Sequence, residues 1–193
     1  LFFLFLWPEN RLYMNKTLQQ YDKIAEGCRE LFIQKMGDYG TAWRILRPES
    51  ITDQIYIKAR RIRSIEEKGV QQIGEDIRGE FTGIVNYAIM GIIQLQLQPS
   101  EEEMDREAAL KEYNRCFEMA RSLMTAKNHD YGEAWRKMRI SSYTDLILMK
   151  LKRIKHIEDH KGITLVSEGI DANYFDIINY AVFALIKLNL ENN

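Results

Sequence analysis

The sequence predicts an all-α protein: tandem duplicated three-helix units packed as one pseudo-two-fold helical bundle. Three observations predict it. Only three prolines and 11 glycines punctuate 193 residues, far fewer breaks than a turn-dense β-sandwich needs. Apolar residues recur at helical spacing rather than alternating. The chain is also written twice: KMGDYGTAWRILRPESITDQIYIKARRIRSIEE from Lys35 returns as KNHDYGEAWRKMRISSYTDLILMKLKRIKHIED from Lys127. At an offset of 92, about 21 of the 48 pairs from residue 21 to residue 68 are identical, which only a duplication explains. Past Gly69 and Gly162 the offset becomes 93, pairing Glu75 with Glu168 and Asn86-Tyr87-Ala88 with Asn179-Tyr180-Ala181.

Residues 1–13 stand apart. The run LFFLFLW before Pro8 is far shorter than the ~20 residues that span a bilayer, and it lacks a basic n-region and a small-residue cleavage site. It reads as an N-terminal extension outside the fold, either lying upstream of a start at Met14 or left from a longer hydrophobic leader. The repeats are expected at 17–98 and 105–191. In each, a first helix (about 17–36 in repeat 1) places Tyr21, Ile24, Cys28, Leu31 and Phe32, or Tyr113, Cys116, Ala120, Leu123 and Met124, on one stripe. Both cysteines therefore belong to the core, where they act as small apolar residues. A second helix is expected to open at Ser50 or Ser142, with Asp53 or Asp145 three residues on completing a capping box. The third, FTGIVNYAIMGIIQLQL or YFDIINYAVFALIKLNL, is long and apolar, as a buried central helix must be. The linker QPSEEEMDREA separates the repeats and opens the next helix with acids.

Composition limits the chemistry. Lys and Arg number 27 against 28 Asp and Glu, a formal charge of -1, which argues against bulk binding of a polyanion and so against direct nucleic-acid binding. KARRIR and KLKRIKH could still form a local basic stripe. Two cysteines make no disulfide framework, and no Cys-x-x-Cys or His-x-x-x-His pair supports a transition metal, as befits a cytoplasmic protein. A hard, oxygen-ligated ion such as Mg²⁺ is compatible.

The polar residues kept in both repeats carry what functional signal there is. In Asp38-Tyr39-Gly40-x-Ala42-Trp43 and its counterpart Asp130-Tyr131-Gly132-x-Ala134-Trp135, the aspartates suit helix caps, the glycines a turn and the tryptophans core anchors. The same residues suit a ligand with a stackable base. Lys58 and Arg61, like Lys150 and Arg153, share a helix face, with Glu66 or Glu158 a turn further on. They read either as a solvated ion-paired face or as a phosphate clamp, Lys as point charge and Arg as fork. Asn86 and Asn179 sit in apolar runs and need partners, within the bundle or on a ligand. Glu168, Asp171 and Asp176 precede Asn179 in repeat 2 and are the candidate Mg²⁺ ligands; repeat 1 has Glu75, Arg78 and Gly83 there, so carboxylate chemistry is expected mainly in repeat 2.

The repeated K-x-x-D-Y-G-x-A-W, the following T-D-x-I/L-x-x-K-x-x-R-I and the closing N-Y-A resemble the nucleotide modification associated domain family, once per repeat across about residues 17–191. The resemblance implies a role around modified or unusual nucleotides. The chain is more weakly similar to the all-α nucleotide pyrophosphohydrolases of the MazG-like and dimeric dUTPase type. That similarity implies Mg²⁺ held by paired E-x-x-E and E-x-x-D motifs. Glu168-x-x-Asp171 fits the second motif, whereas Glu26-x-x-Arg29 and Glu118-x-x-Arg121 replace the first. The expected partner is thus a nucleotide or other phosphorylated small molecule, with no membrane; a homodimer is compatible. If the protein is an enzyme, metal-assisted hydrolysis of a nucleoside triphosphate is expected; the alternative is a non-catalytic helical interaction module. The enzymatic expectation requires Lys150, Arg153, Asp130 and the three carboxylates to line one concavity.

Overall fold

The computed structural model describes residues 8–69, 76–164 and 168–191. Six helices follow in order: α1 (Pro8–Tyr39), α2 (Pro48–Lys68), α3 (Ile77–Leu97), α4 (Arg106–Tyr131), α5 (Ile140–Asp159) and α6 (Ile170–Ile186). A 3₁₀ turn joins α1 to α2 (Ala42–Ile45), another joins α4 to α5 (Ala134–Lys137), and a π turn (Lys187–Glu191) extends α6. Among the described residues there is no strand, and no helix is long and apolar enough to cross a membrane.

Packing follows the hydrophobic pattern. The two most apolar helices, α3 and α6, pack on each other at the centre, with α2 laid on α3 and α5 on α6. Each helix also touches its own counterpart: α1 with α4, α2 with α5, α3 with α6. Such self-pairing is the mark of an isologous, two-fold arrangement, here between halves of one chain. Close approach at the centre depends on Gly91, where a Cβ would stand 2.8 Å from the Tyr174 ring. Cys28 and Cys116 are free thiols in the core, as the apolar stripes predict.

Helix ends depart from the sequence reading. α1 starts at Pro8, so residues 8–13 continue the first helix, while residues 1–7 lie outside the described part. Asp38 and Asp130 fall in the last turns of α1 and α4 and cap nothing; the stop comes from Gly40 (φ 59) and Gly132 (φ 58), left-handed positions that close the helices as C-caps. Ser50 and Ser142 are not N-caps either. The helices begin two residues earlier, behind Arg47 and Arg139, and Pro48 supplies a preset first turn in α2. The acidic linker does open α4: Asp105 accepts from the backbone N–H of Glu107 (2.9 Å) and Ala108 (3.1 Å).

Several polar residues kept in both repeats bind the repeats together. Tyr21 donates to Asn179 Oδ1 and Tyr113 to Asn86 Oδ1, both at 2.8 Å. The amide nitrogens then donate to backbone carbonyls, Asn86 to Cys28 (3.1 Å) and Asn179 to Ala120 (3.0 Å). Thr52 meets Glu158 at 2.6 Å, and Thr144 meets Glu66 at 3.0 Å. Lys155 pairs with Asp53, and Arg63 with Asp145 at 3.5 Å. Arg29 donates to Asn114 (2.9 Å), and Arg121 to Asp22 (2.6 Å). Every one of these links has its partner at the offset of 92 or 93.

Candidate functional site

Where repeat 1 folds back on itself it leaves a cavity of about 350 Å³, within the range of small-molecule sites. The C-terminal half of α1 brings Phe32, Lys35, Met36 and Tyr39 to it; the 3₁₀ turn brings Trp43, α2 brings Lys58, and α3 brings Gly83, Asn86, Tyr87 and Met90. Four residues singled out from sequence thus share one wall: Tyr39, Trp43, Lys58 and Asn86. Two lysines and four aromatic side chains line it, and no carboxylate, histidine or cysteine is among its lining residues. Lys58 is held by the buried Glu80 at 3.2 Å, and Arg61 meets the other oxygen of that carboxylate. Burial, with Tyr87 and Asp38 nearby, pushes the Tyr39 phenol above its ordinary value, so it stands as a neutral hydroxyl over a half-exposed ring. The buried Trp43 Nε1 has no hydrogen-bond partner among the described residues, but neither has Trp135 Nε1, so this belongs to the repeat rather than to the cavity.

The equivalent space in repeat 2 is occupied by the chain itself. Asp176 stands where repeat 1 has Gly83, and its two oxygens lie 2.5 Å from Lys127 Nζ and 2.5 Å from Lys150 Nζ. Burial alone would raise this carboxyl, but the hydrogen bonds from Lys127 and Lys150 win and hold it below its usual range. Phe183 stands where repeat 1 has Met90 and stacks on Trp135, centroids 4.3 Å apart and planes at 10°. Arg136 lies 4.3 Å from the same indole. The buried Trp135 thus contacts both a ring and a guanidinium.

The remaining candidates are dispersed. Asp130 contacts His129 at 3.1 Å with a side chain 77% exposed, Tyr131 is 73% exposed, and Asp38 is exposed on α1. Arg153 and Glu168 line a broad groove with His156, His160 and Asn173 whose lining does not include Asp176. Asp171 is exposed at the start of α6. Among the described residues no group of three or more Asp, Glu, His or Cys could hold a metal ion, and Glu168, Asp171 and Asp176 form no such group. Glu75 lies outside the described residues. Asn86 and Asn179 spend their amides on the Tyr–Asn links, Asn86 while also lining the cavity.

Sequence reasoning placed the weight on repeat 2 and passed over Lys35, Gly83 and Tyr87. The signal for them was available: Lys35 opens the repeated motif, Tyr87 sits in N-Y-A, and Gly83 is the small residue that faces Asp176 in the alignment of the halves.

No curated protein and no solved structure matches the chain. The sequence pattern of nucleotide modification associated domain 1 matches it twice, over residues 35–95 and 127–188, which takes in both Asp-Tyr-Gly turns, both second helices, all of α6 and α3 up to residue 95. With the cavity-lining residues from Lys35 to Met90 and their repeat-2 equivalents inside those two spans, the chain belongs to the nucleotide modification associated domain 1 family.

Proposed function

We propose that the protein binds a nucleotide or a nucleotide-like phosphorylated small molecule in the repeat-1 cavity. The observation that carries the proposal is the coincidence of Lys35 and Lys58 with Tyr39, Trp43 and Tyr87 around one concave space. Cations supply what a phosphate needs, and ring faces supply what a base needs. The family's association with nucleotide modification supports the same class of ligand. The lining groups offer no acid, base or nucleophile beyond two phenols and two amines, so the proposal is of binding, with hydrolysis left to neither lysine nor ring.

Thermal-shift and calorimetric titrations with the deoxynucleoside mono- and triphosphates, each with and without Mg²⁺, test it. Wild type is expected to bind at least one of them. Lys58→Ala should then weaken binding about tenfold or more, since a charge-assisted hydrogen bond is worth ~1.5–3 kcal/mol and ~1.4 kcal/mol is a factor of ten. Failure of every nucleotide to bind, in either condition, would overturn the proposal and leave the interaction-module alternative.

A further inference from the structure

The two repeats differ most where the cavity lies, and the differences are of one kind. Lys35 and Lys58 have their equivalents in Lys127 and Lys150, but Gly83 faces Asp176 and Met90 faces Phe183. In repeat 2 the carboxylate bridges the two lysines and the phenyl ring covers the tryptophan. Asp176 and Phe183 are seven residues apart, two helical turns, so they project from one face of α6 roughly 10 Å apart along its axis. In repeat 1 neither group is present. At Gly83 a Cβ would stand 2.8 Å from Lys58 Cε, so the lysine stem lies across the glycine. Lys35 has no ion-pair partner among the described residues, and the acid has moved one turn earlier, to Glu80, which holds Lys58 from the side.

We infer that Asp176 and Phe183 are an internal counterpart of the ligand: in repeat 1 the ligand's oxyanion takes the place of Asp176, between Lys35 and Lys58 over Gly83, and its ring takes the place of Phe183 against Trp43. The inference rests on the proposed binding in this cavity and deepens it. It names the ligand as a planar aromatic ring joined by a spacer to a compact oxyanion. A separation of roughly 10 Å suits an extended nucleoside phosphate rather than a bare phosphate. It also makes repeat 2 the structural half and repeat 1 the binding half.

The experiment is to write repeat 2 into repeat 1. Gly83→Asp places a fixed carboxylate between the lysines, and Gly83→Asn places the same volume without charge. Met90→Phe places a fixed ring over Trp43. Binding is measured against the deoxynucleoside triphosphate that wild type binds most tightly, with inorganic triphosphate as the ring-free probe. Gly83→Asp is expected to weaken both probes about thirtyfold or more, because a like charge set against the ligand's anion costs several kcal/mol, and Gly83→Asn to weaken them several times less. Met90→Phe is expected to weaken the nucleotide at least tenfold while leaving inorganic triphosphate within about threefold, a split that general damage to the cavity does not produce. If Gly83→Asp melts far below wild type, Met90→Phe and its split decide alone. Nucleotide affinity within threefold of wild type in both Gly83→Asp and Met90→Phe, with Lys58→Ala still defective, overturns this inference and leaves the cavity reading standing. No nucleotide bound by wild type overturns both.

Discussion

The paired Tyr–Asn links are the sharpest test of what holds the halves together. Tyr21 is fully buried and its hydroxyl donates to Asn179 Oδ1 at 2.8 Å. Tyr21→Phe keeps the ring and its edge contact with Phe117, 5.9 Å away at 84°, and removes only the donor. The amide oxygen of Asn179, a residue 5% exposed, is left without that donor. An unsatisfied buried acceptor costs ~1–3 kcal/mol. For a chain of this size ~1 kcal/mol moves the melting temperature by about 2–4 °C, so a fall of about 2–12 °C is expected. Tyr113→Phe should cost a similar amount through Asn86. Both rings touch Phe117, so the two changes share a neighbour and should depart from additivity by about 0.5 kcal/mol or more. Urea denaturation followed by circular dichroism at neutral pH measures all four corners of the cycle. A loss below ~0.5 kcal/mol in both single variants would refute the assignment. So would a loss of nucleotide affinity with stability intact, since it would mean that the asparagines face the ligand and not the bundle.

Other consequences follow from the buried charges and thiols. Asp176→Asn strips Lys150, whose side chain is only 7% exposed, of its carboxylate, and should cost ~3–5 kcal/mol by chemical denaturation; a cost under ~1 kcal/mol would show the ion pair to be dispensable. The same aspartate has a depressed folded pKa, so its contribution is complete above the unfolded value of about 3.9 and is lost as pH falls through the lower folded one; the Asn variant should lack that acid limb. Glu66 and Glu158 run the other way: burial raises both, with the threonine hydrogen bonds of the opposite repeat only partly offsetting it, so the folded protein holds their protons more tightly than the unfolded chain does. They therefore add stability as pH falls from above the raised values toward the ordinary carboxylate range, and Glu158→Gln should melt no lower than wild type at pH 7 while losing that gain. Burial pushes the Cys28 thiol up to about 12 and the Cys116 thiol up to about 11, so a thiol-disulfide reagent at pH 8 should leave native protein unlabelled while labelling both in denaturant; rapid labelling of native protein would show that these helices open locally.

The architecture was legible because it rests on local periodicity. The stripe Tyr21, Ile24, Cys28, Leu31, Phe32 is a 3.6-residue pattern, and the structure buries all but Leu31, which is half-buried at the edge of the stripe as its counterpart Leu123 is exposed. The apolar third helices could only be central, and the duplication carried the two-fold relation with it. Partners were not legible. An offset of 92 says that Glu66 and Glu158 are equivalent, but not that each reaches the threonine of the other repeat; that depends on how α2 and α5 cross. Caps failed for a similar reason. Ser50-x-x-Asp53 satisfies a capping pattern, yet Pro48 opens α2 earlier and Asp53 is drawn to Lys155 across the interface. Sequence also directed attention to carboxylates, as hard-ion chemistry does, and so to repeat 2, whose Asp176 is committed to two lysines.

Retention in both halves therefore has two meanings, and the fold separates them. In a pseudo-two-fold interface each residue is used twice, once as itself and once as its counterpart's partner. Tyr21 needs Asn179, and Tyr113 needs Asn86, so sequence identity between repeats is what a symmetric contact enforces, whether or not a ligand exists. A binding cavity is under no such constraint, because one working pocket suffices and the other half is free to close. The pairs that differ, Gly83 with Asp176, Met90 with Phe183 and Glu80 with Asn173, are then more informative about function than the pairs that agree. Each substitution in repeat 2 either fills the space or settles its charge, and the lysines are kept in both halves although only in repeat 2 does one carboxylate of the chain bridge the pair; on the proposed reading, the ligand's anion takes that place in repeat 1.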